Sequence, residues 1–183
     1  MKKSFMLFCA ILFCFFSAAG EARKDGFKRP KMRRYRLSTR GKVEFRRVKK
    51  VLTTEEAERY RHDPHCMTER CAGSGGKEAI RTYLLESSPA LIAGNFKDVR
   101  WFRDEMSGQI QIILYFNPAD AVRFAQITRE NKGRQLAVIV HGKLYCAPVI
   151  MEEITNGSAC ISGIASEEEA RKIVNFLIMS RIL

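Results

Sequence analysis

Beyond residue 20 the sequence has no apolar run long enough to span a bilayer, which takes about 20 residues in a helix. It also has no glycine-rich phosphate loop, no Ser-His-Asp arrangement, no well-spaced set of metal ligands and no internal repeat. These absences argue against several membrane spans, nucleotide-dependent catalysis and a repeat architecture. We therefore expect a protein that is not an enzyme and that needs neither a cofactor nor a metal.

The first 20 residues have the composition of a signal peptide. Lys2 and Lys3 give a positive start, Phe5–Phe16 is almost wholly apolar, and residues 17–20 are small. We expect cleavage at the end of this segment and a periplasmic or extracellular protein. Because many cations follow closely, an uncleaved N-terminal membrane anchor is the alternative.

Positive charge is concentrated between residues 21 and 50. The chain has 32 Lys and Arg against 20 Asp and Glu, and 14 of those cations but only three of the acids lie in this segment. We expect a poorly ordered basic arm that binds anionic lipid, lipopolysaccharide or wall polymer, and no nucleic acid, because the protein is exported. A solvated tail without a partner is the alternative. The cations proposed for binding are Lys28, Arg29, Lys31, Arg33, Arg34, Arg36, Arg46, Arg47, Lys49 and Lys50.

Four cysteines follow the signal segment, namely Cys66, Cys71, Cys146 and Cys160. In an oxidising compartment an even number favours disulfides, with three possible connectivities. We expect at least one disulfide that involves Cys66 or Cys71. His62 and His65 also allow a zinc site there, although a Cys-x4-Cys spacing is unusual for zinc. Buried thiols are the third alternative for Cys146 and Cys160.

Local patterns predict an α+β domain over residues 77–183, after a signal peptide at 1–20 and a basic arm with a Cys-containing linker at 21–76. Tight turns join the predicted strands, so we expect a small antiparallel sheet with two helices packed on one face. Residues 62–76 read as a loop that ends in a flexible Gly-rich linker. Strands are predicted at 80–84, 108–116, 135–140, 144–146 and 159–164, and helices begin after Thr53, Asn117 and Ser166.

The hairpin AVIVHGKLYCAPVI at residues 137–150 lies within a longer distinctive stretch. Over residues 116–177 a Thr-x-x-Asn-x-Gly helix end precedes an Ala-Pro hairpin and then a Gly-bounded strand. This stretch resembles the head subdomain of the first periplasmic domain of SecD and SecDF protein-export membrane proteins, here as a stand-alone exported chain. The motif positions are Thr128, Asn131, Gly133, Gly142, Ala147, Pro148, Ile161 and Gly163.

The resemblance implies contact with translocating or unfolded polypeptide, or with the export machinery. An open sheet edge can accept an extended peptide as an added strand, and proline typically ends pairing at such an edge. We therefore expect polypeptide to bind the hairpin surface. An envelope-associated structural or adhesion protein that binds anionic surfaces through its arm is the alternative. The expected polypeptide-binding residues are His141, Gly142, Lys143, Tyr145 and Pro148.

Overall fold

The computed structural model describes residues 41–72, 78–94 and 96–179. The predicted signal peptide, the arm cations before residue 41 and most of the Gly-rich linker lie outside the described residues. The elements are, in chain order, β1 (Val43–Leu52), α1 (Thr54–Arg59), β2 (Cys66–Ala72), β3 (Glu78–Leu85), β4 (Leu91–Ala93), β5 (Phe96–Arg103), β6 (Ile110–Phe116), α2 (Pro118–Glu130), β7 (Leu136–Val140), β8 (Lys143–Cys146), β9 (Ser158–Ile164) and α3 (Glu167–Met179).

The strands form two antiparallel sheets. The larger has the order β2-β3-β1-β7-β8, with β4 also pairing with β1, and the smaller has the order β5-β6-β9. The predicted α+β class with antiparallel strands is confirmed. The strands divide between two sheets, however, because β9 returns to pair with β6 instead of continuing beside β8.

The main core lies where both sheets meet α2 and α3. Phe45 of β1, Phe116 of β6 and Phe124 of α2 form its aromatic centre, with ring centroids 4.8–5.9 Å apart. Helix α3 adds an apolar stripe of four buried residues, as its 3.6-residue periodicity predicts. Those residues are Ala170, Ile173, Val174 and Leu177.

Strand β1 corrects the predicted domain boundary at residue 76. It pairs with β3, β4 and β7, and Val43 and Phe45 are fully buried. Strand β2, which was predicted to be a loop, pairs with β3 along its whole length. The alternation of β1 is hard to see in the sequence because cations occupy most of its other positions. Residues 43–72 thus belong to the folded domain.

The three predicted helix starts are confirmed. The Thr53 hydroxyl accepts a hydrogen bond from the Glu56 N–H at 3.3 Å, and the Asn117 side chain accepts one from the Asp120 N–H at 2.9 Å. The Ser166 hydroxyl accepts one from the Glu169 N–H at 3.1 Å. Each bond satisfies a backbone donor that the first helical turn leaves unpaired.

Candidate functional site

The β7–β8 hairpin turns at His141 and Gly142. Both residues have positive φ, 50° and 73°, as a two-residue hairpin turn of this kind requires. Val140 pairs with Lys143 directly across the turn. His141, Gly142 and Lys143 are exposed, so the tip of the hairpin is presented to solvent.

The exposed tip is held from beneath by helix α3. The Glu169 carboxylate accepts hydrogen bonds from the Lys143 ammonium at 2.5 Å and from the Tyr145 hydroxyl at 3.2 Å. The His141 ring meets the Phe176 ring edge-on, with centroids 4.6 Å apart. A polar contact and an aromatic contact therefore fix the tip on the helix, although Glu169 is 26 residues from Lys143 in sequence.

The contacts of Glu169 with the hairpin also shift the pKa values of Glu169 and Tyr145. Partial burial acts to raise the pKa of the Glu169 carboxyl, but hydrogen bonds from Lys143 and from the Ala165 N–H outweigh it and hold the pKa below its usual value. Burial, together with the Glu169 charge, raises the pKa of Tyr145 to about 12. Tyr145 is only 7% exposed, so this residue supports the hairpin from inside and does not face a partner.

The outer edge of β8 is covered at its centre. A Cβ atom added at Gly163 of β9 would lie 2.5 Å from the Tyr145 carbonyl oxygen and 3.8 Å from the Arg70 carbonyl oxygen of β2. The backbones of β8 and β9 therefore touch, with β2 close by, and leave no room for an added strand at Tyr145. Strand β8 ends at Cys146, before Pro148, and pairing resumes as a single bridge between Gln135 and Val149.

The predicted disulfide is not confirmed, because none joins the four cysteines, all of which are described. Cys66 and Cys71 are five positions apart on β2, so their side chains point to opposite faces of the strand. Burial raises the pKa of Cys146 to about 11 and that of Cys160 to about 12. The Cys160 thiol donates to the Gln111 side-chain oxygen at 3.2 Å. Both sulfurs thus lie in environments that favour the protonated thiol.

The structure describes no group of three or more His, Cys, Asp or Glu side chains that could hold a metal ion. Within the same residues, no helix has both the length and the apolar character needed to cross a bilayer.

Four of the predicted arm cations lie on β1, and three of them have partners within the fold. Arg46 binds Glu44 at 2.8 Å and the Glu86 carbonyl at 3.1 Å, and Arg47 binds the Asn131 side chain at 3.1 Å. Lys50 pairs with Glu56. These cations are therefore part of the folded domain, and any free arm is confined to residues before β1.

The family model described as SecDF, P1 head subdomain, matches residues 67–180, which is more than half of the chain. The chain belongs to this family. It shares 34% identity over 141 residues with the protein translocase subunit SecDF of Thermus thermophilus, covering 75% of this chain and 18% of that protein. It shares 40% identity over 90 residues with the protein translocase subunit SecD of Leptotrichia buccalis, covering 49% of this chain and 22% of that protein.

A similar fold is seen in a solved structure of a membrane component SecDF that enhances protein export. The two share 31% identity with a TM-score of 0.53, over 76% of this chain and 63% of that one. A SecDF structure in a super-membrane-facing form gives a TM-score of 0.54 at 31% identity, over 76% of this chain and 19% of that one. The head family is thus recognised correctly from the motifs at residues 116–177. The chain spans about a fifth of the length of the curated relatives it matches.

Two residues of α3 that contact the hairpin tip were not predicted as functional from the sequence. Glu169 is recognisable as a helix-capping residue, but its contact with Lys143 depends on how the hairpin docks on α3. Phe176 reads only as one more apolar helix residue, and its contact with His141 has no local signature.

Proposed function

We propose that this chain is a non-enzymatic binding module of the protein-export machinery that contacts unfolded or translocating polypeptide. Membership of the SecDF P1 head family supports a role in export, since the relatives are named as protein translocase subunits. The chain covers about a fifth of the length of these relatives, and binding is the part of their role that we propose for it. The signal-peptide composition of residues 1–20 supports a site of action outside the cytoplasm.

The observation that carries this proposal is a hairpin tip that is exposed and yet fixed. His141, Gly142 and Lys143 face solvent, while Glu169 and Phe176 hold the tip from behind. A surface that is already ordered loses little conformational entropy when it binds a partner. Lys143 and the imidazole of His141 offer donors to backbone carbonyls of a passing chain.

The experiment measures binding of the full chain to reduced, carboxymethylated α-lactalbumin, which stays unfolded, by fluorescence anisotropy. We expect the double variant H141A/K143A to bind about tenfold more weakly, a loss of about 1.4 kcal/mol. The matched control H62A/K49A removes the same side chains at exposed positions elsewhere, so it should bind as the unmodified chain does.

Equal losses in H141A/K143A and H62A/K49A would show that net charge, and not the hairpin tip, determines the attraction. No binding by the unmodified chain would contradict the proposed function itself.

The concentration of charge favours a second candidate function. Residues 21–40, which precede the folded domain, hold nine Lys or Arg and two acids. We infer that this segment binds an anionic surface such as lipid headgroups, lipopolysaccharide or wall polymer, as an envelope-associated protein would. The two functions are compatible, because they use different parts of the chain.

A further inference from the structure

A short segment after β8 pairs on one side with the residues that lead into β7, and its other side has no paired strand among the described residues. This segment, Pro148–Met151, follows β8, and we call it the Val149 edge. The Leu136 N–H donates to the Pro148 carbonyl at 3.0 Å, and the Ile150 N–H donates to the Arg134 carbonyl at 2.9 Å. Gln135 and Val149 lie opposite each other between these two bonds.

That pattern determines where the Val149 backbone points. In an antiparallel ladder, a residue pair flanked by hydrogen bonds of its neighbours directs its own N–H and C=O groups to the outer edges. Both backbone groups of Ile150 point toward the turn that precedes β7, since its N–H donates to the Arg134 carbonyl and its carbonyl accepts from the Gly133 N–H at 2.7 Å. The N–H and C=O groups of Val149 therefore face away from the sheet, and within the described residues neither has a hydrogen-bond partner.

The side chains of this edge are apolar and accessible. Val149 is 43% exposed and Met151 is 53% exposed, whereas Ile150 between them is buried in the main core. Ile150 thus anchors the segment and leaves the two flanking side chains available. An added strand forms hydrogen bonds with the open backbone groups of an edge, and its side chains contact exposed apolar side chains at alternate positions of that edge.

The surrounding charges indicate which polypeptide fits. Lys132 and Arg134 belong to the turn before β7 with which this segment pairs. Glu152 and Glu153 follow Met151 directly in the sequence. Because the two signs balance, the local field favours neither an acidic nor a basic ligand. The exposed Val149 and Met151 instead favour a segment with apolar side chains at alternate positions.

We propose that the Val149 edge is a strand-addition site for an extended, uncharged segment of polypeptide with apolar residues at alternate positions. This inference rests on the proposed polypeptide-binding function and places a backbone contact beyond the hairpin tip, on the far side of Pro148. The covered centre of β8 lies between the hairpin tip and the Val149 edge. These two exposed surfaces can therefore be tested separately.

The test uses Val149→Pro in the full chain with the same unfolded α-lactalbumin probe. Proline removes the outward N–H but leaves the inward bonds of Pro148 and Ile150 intact, so binding should weaken about tenfold or more. The matched variant Val149→Thr keeps the N–H and the β-branched shape, and should bind within about twofold of the unmodified chain. Thermal melts of all three establish that the fold is retained.

Amide hydrogen exchange provides the second measurement and does not depend on any variant. The Val149 amide should exchange about tenfold more slowly when the probe is added to the unmodified chain. Unchanged exchange there, or normal binding by a folded V149P variant, would overturn the inference. If V149P binds normally while H141A/K143A is weakened, the proposed function stands and only this site is wrong. Concentration-dependent dimerisation that V149P abolishes would identify a second copy of the chain as the occupant and would also overturn it.

Discussion

Glu169 holds the hairpin tip through one carboxylate. It accepts from Lys143, from Tyr145 and from the Ala165 N–H, and so joins a surface hairpin to the start of a helix. A hydrogen bond to a charged partner typically contributes about 1.5–3 kcal/mol, although exposure of the Lys143 side chain reduces that value here. Glu169 therefore supplies the polar part of the support for the tip, beside the contact between His141 and Phe176.

Glu169→Gln should lower the free energy of unfolding at pH 7 by about 1 kcal/mol, because the ion pair with Lys143 is lost. The folded pKa of Glu169 lies below its unfolded value of about 4.3, so its contribution is complete above that pH and is lost as the pH falls through the folded pKa. Urea unfolding of both proteins from pH 7 to pH 3 should show the difference shrinking toward acid.

The matched control for this prediction is Glu168→Gln, one residue earlier on the same helix. Glu168 pairs with Lys172 on the exposed face of α3, so its loss should leave the unfolding midpoint nearly unchanged. A difference for E169Q that stays constant down to pH 3 would show that packing, not charge, explains its effect.

Among the elements, β1 has the largest part in the architecture. It is the strand with which β3, β4 and β7 all pair, and its Phe45 lies in the aromatic centre of the core. Removing a single buried Phe side chain typically costs about 3–5 kcal/mol, which is a large share of the stability of a domain. The rest of the larger sheet therefore depends on a strand that lies before the predicted boundary.

A fragment of residues 77–183 should not unfold cooperatively, because it lacks β1 and β2. A fragment of residues 41–183, which keeps every described element, should give a sigmoidal melt close to that of the full chain. Circular dichroism during heating checks both fragments. A sigmoidal melt of the shorter one would show that β3, β4 and β7 hold together without β1.

At the scale of the whole molecule, most of the excess positive charge lies before the first strand of the folded domain. The formal net charge is +12, yet the cations of β1 are largely paired with acids of the domain. Each unpaired Lys or Arg near an anionic membrane contributes about 1 kcal/mol, and screening limits this attraction to about 8 Å at physiological salt. Attraction to anionic surfaces should therefore come mainly from residues 21–40.

Replacing six cations of this segment by Gln should abolish binding to vesicles that contain phosphatidylserine, measured by co-sedimentation at low salt. The control replaces six exposed cations of the folded domain and so lowers the net charge equally; it should still bind, and release as salt rises. Equal losses in both variants would show that net charge, not the arm, is responsible. The first set is Lys28, Arg29, Lys31, Arg33, Arg34 and Arg36, and the control set is Lys97, Arg123, Arg129, Lys132, Arg134 and Lys172.

Local sequence was sufficient for the features that depend on near neighbours. The caps at Thr53, Asn117 and Ser166, the turn at His141 and Gly142, and the α+β class all follow from patterns a few residues long. The order of such motifs over residues 116–177 was also enough to recognise the SecDF head family. These features are local because a cap or a turn satisfies its own backbone groups.

Tertiary structure alone decided the remaining features, because each depends on residues far apart in the chain. The Arg- and Lys-rich β1 becomes a strand since β3, β4 and β7 surround it, which outweighs its weak local pattern. The contact of Gly163 with Tyr145 closes the β8 edge that the sequence leaves open, while pairing with Gln135 directs the Val149 backbone outward. Which edge of a hairpin is free depends on what packs against it, and no pattern within the hairpin contains that information.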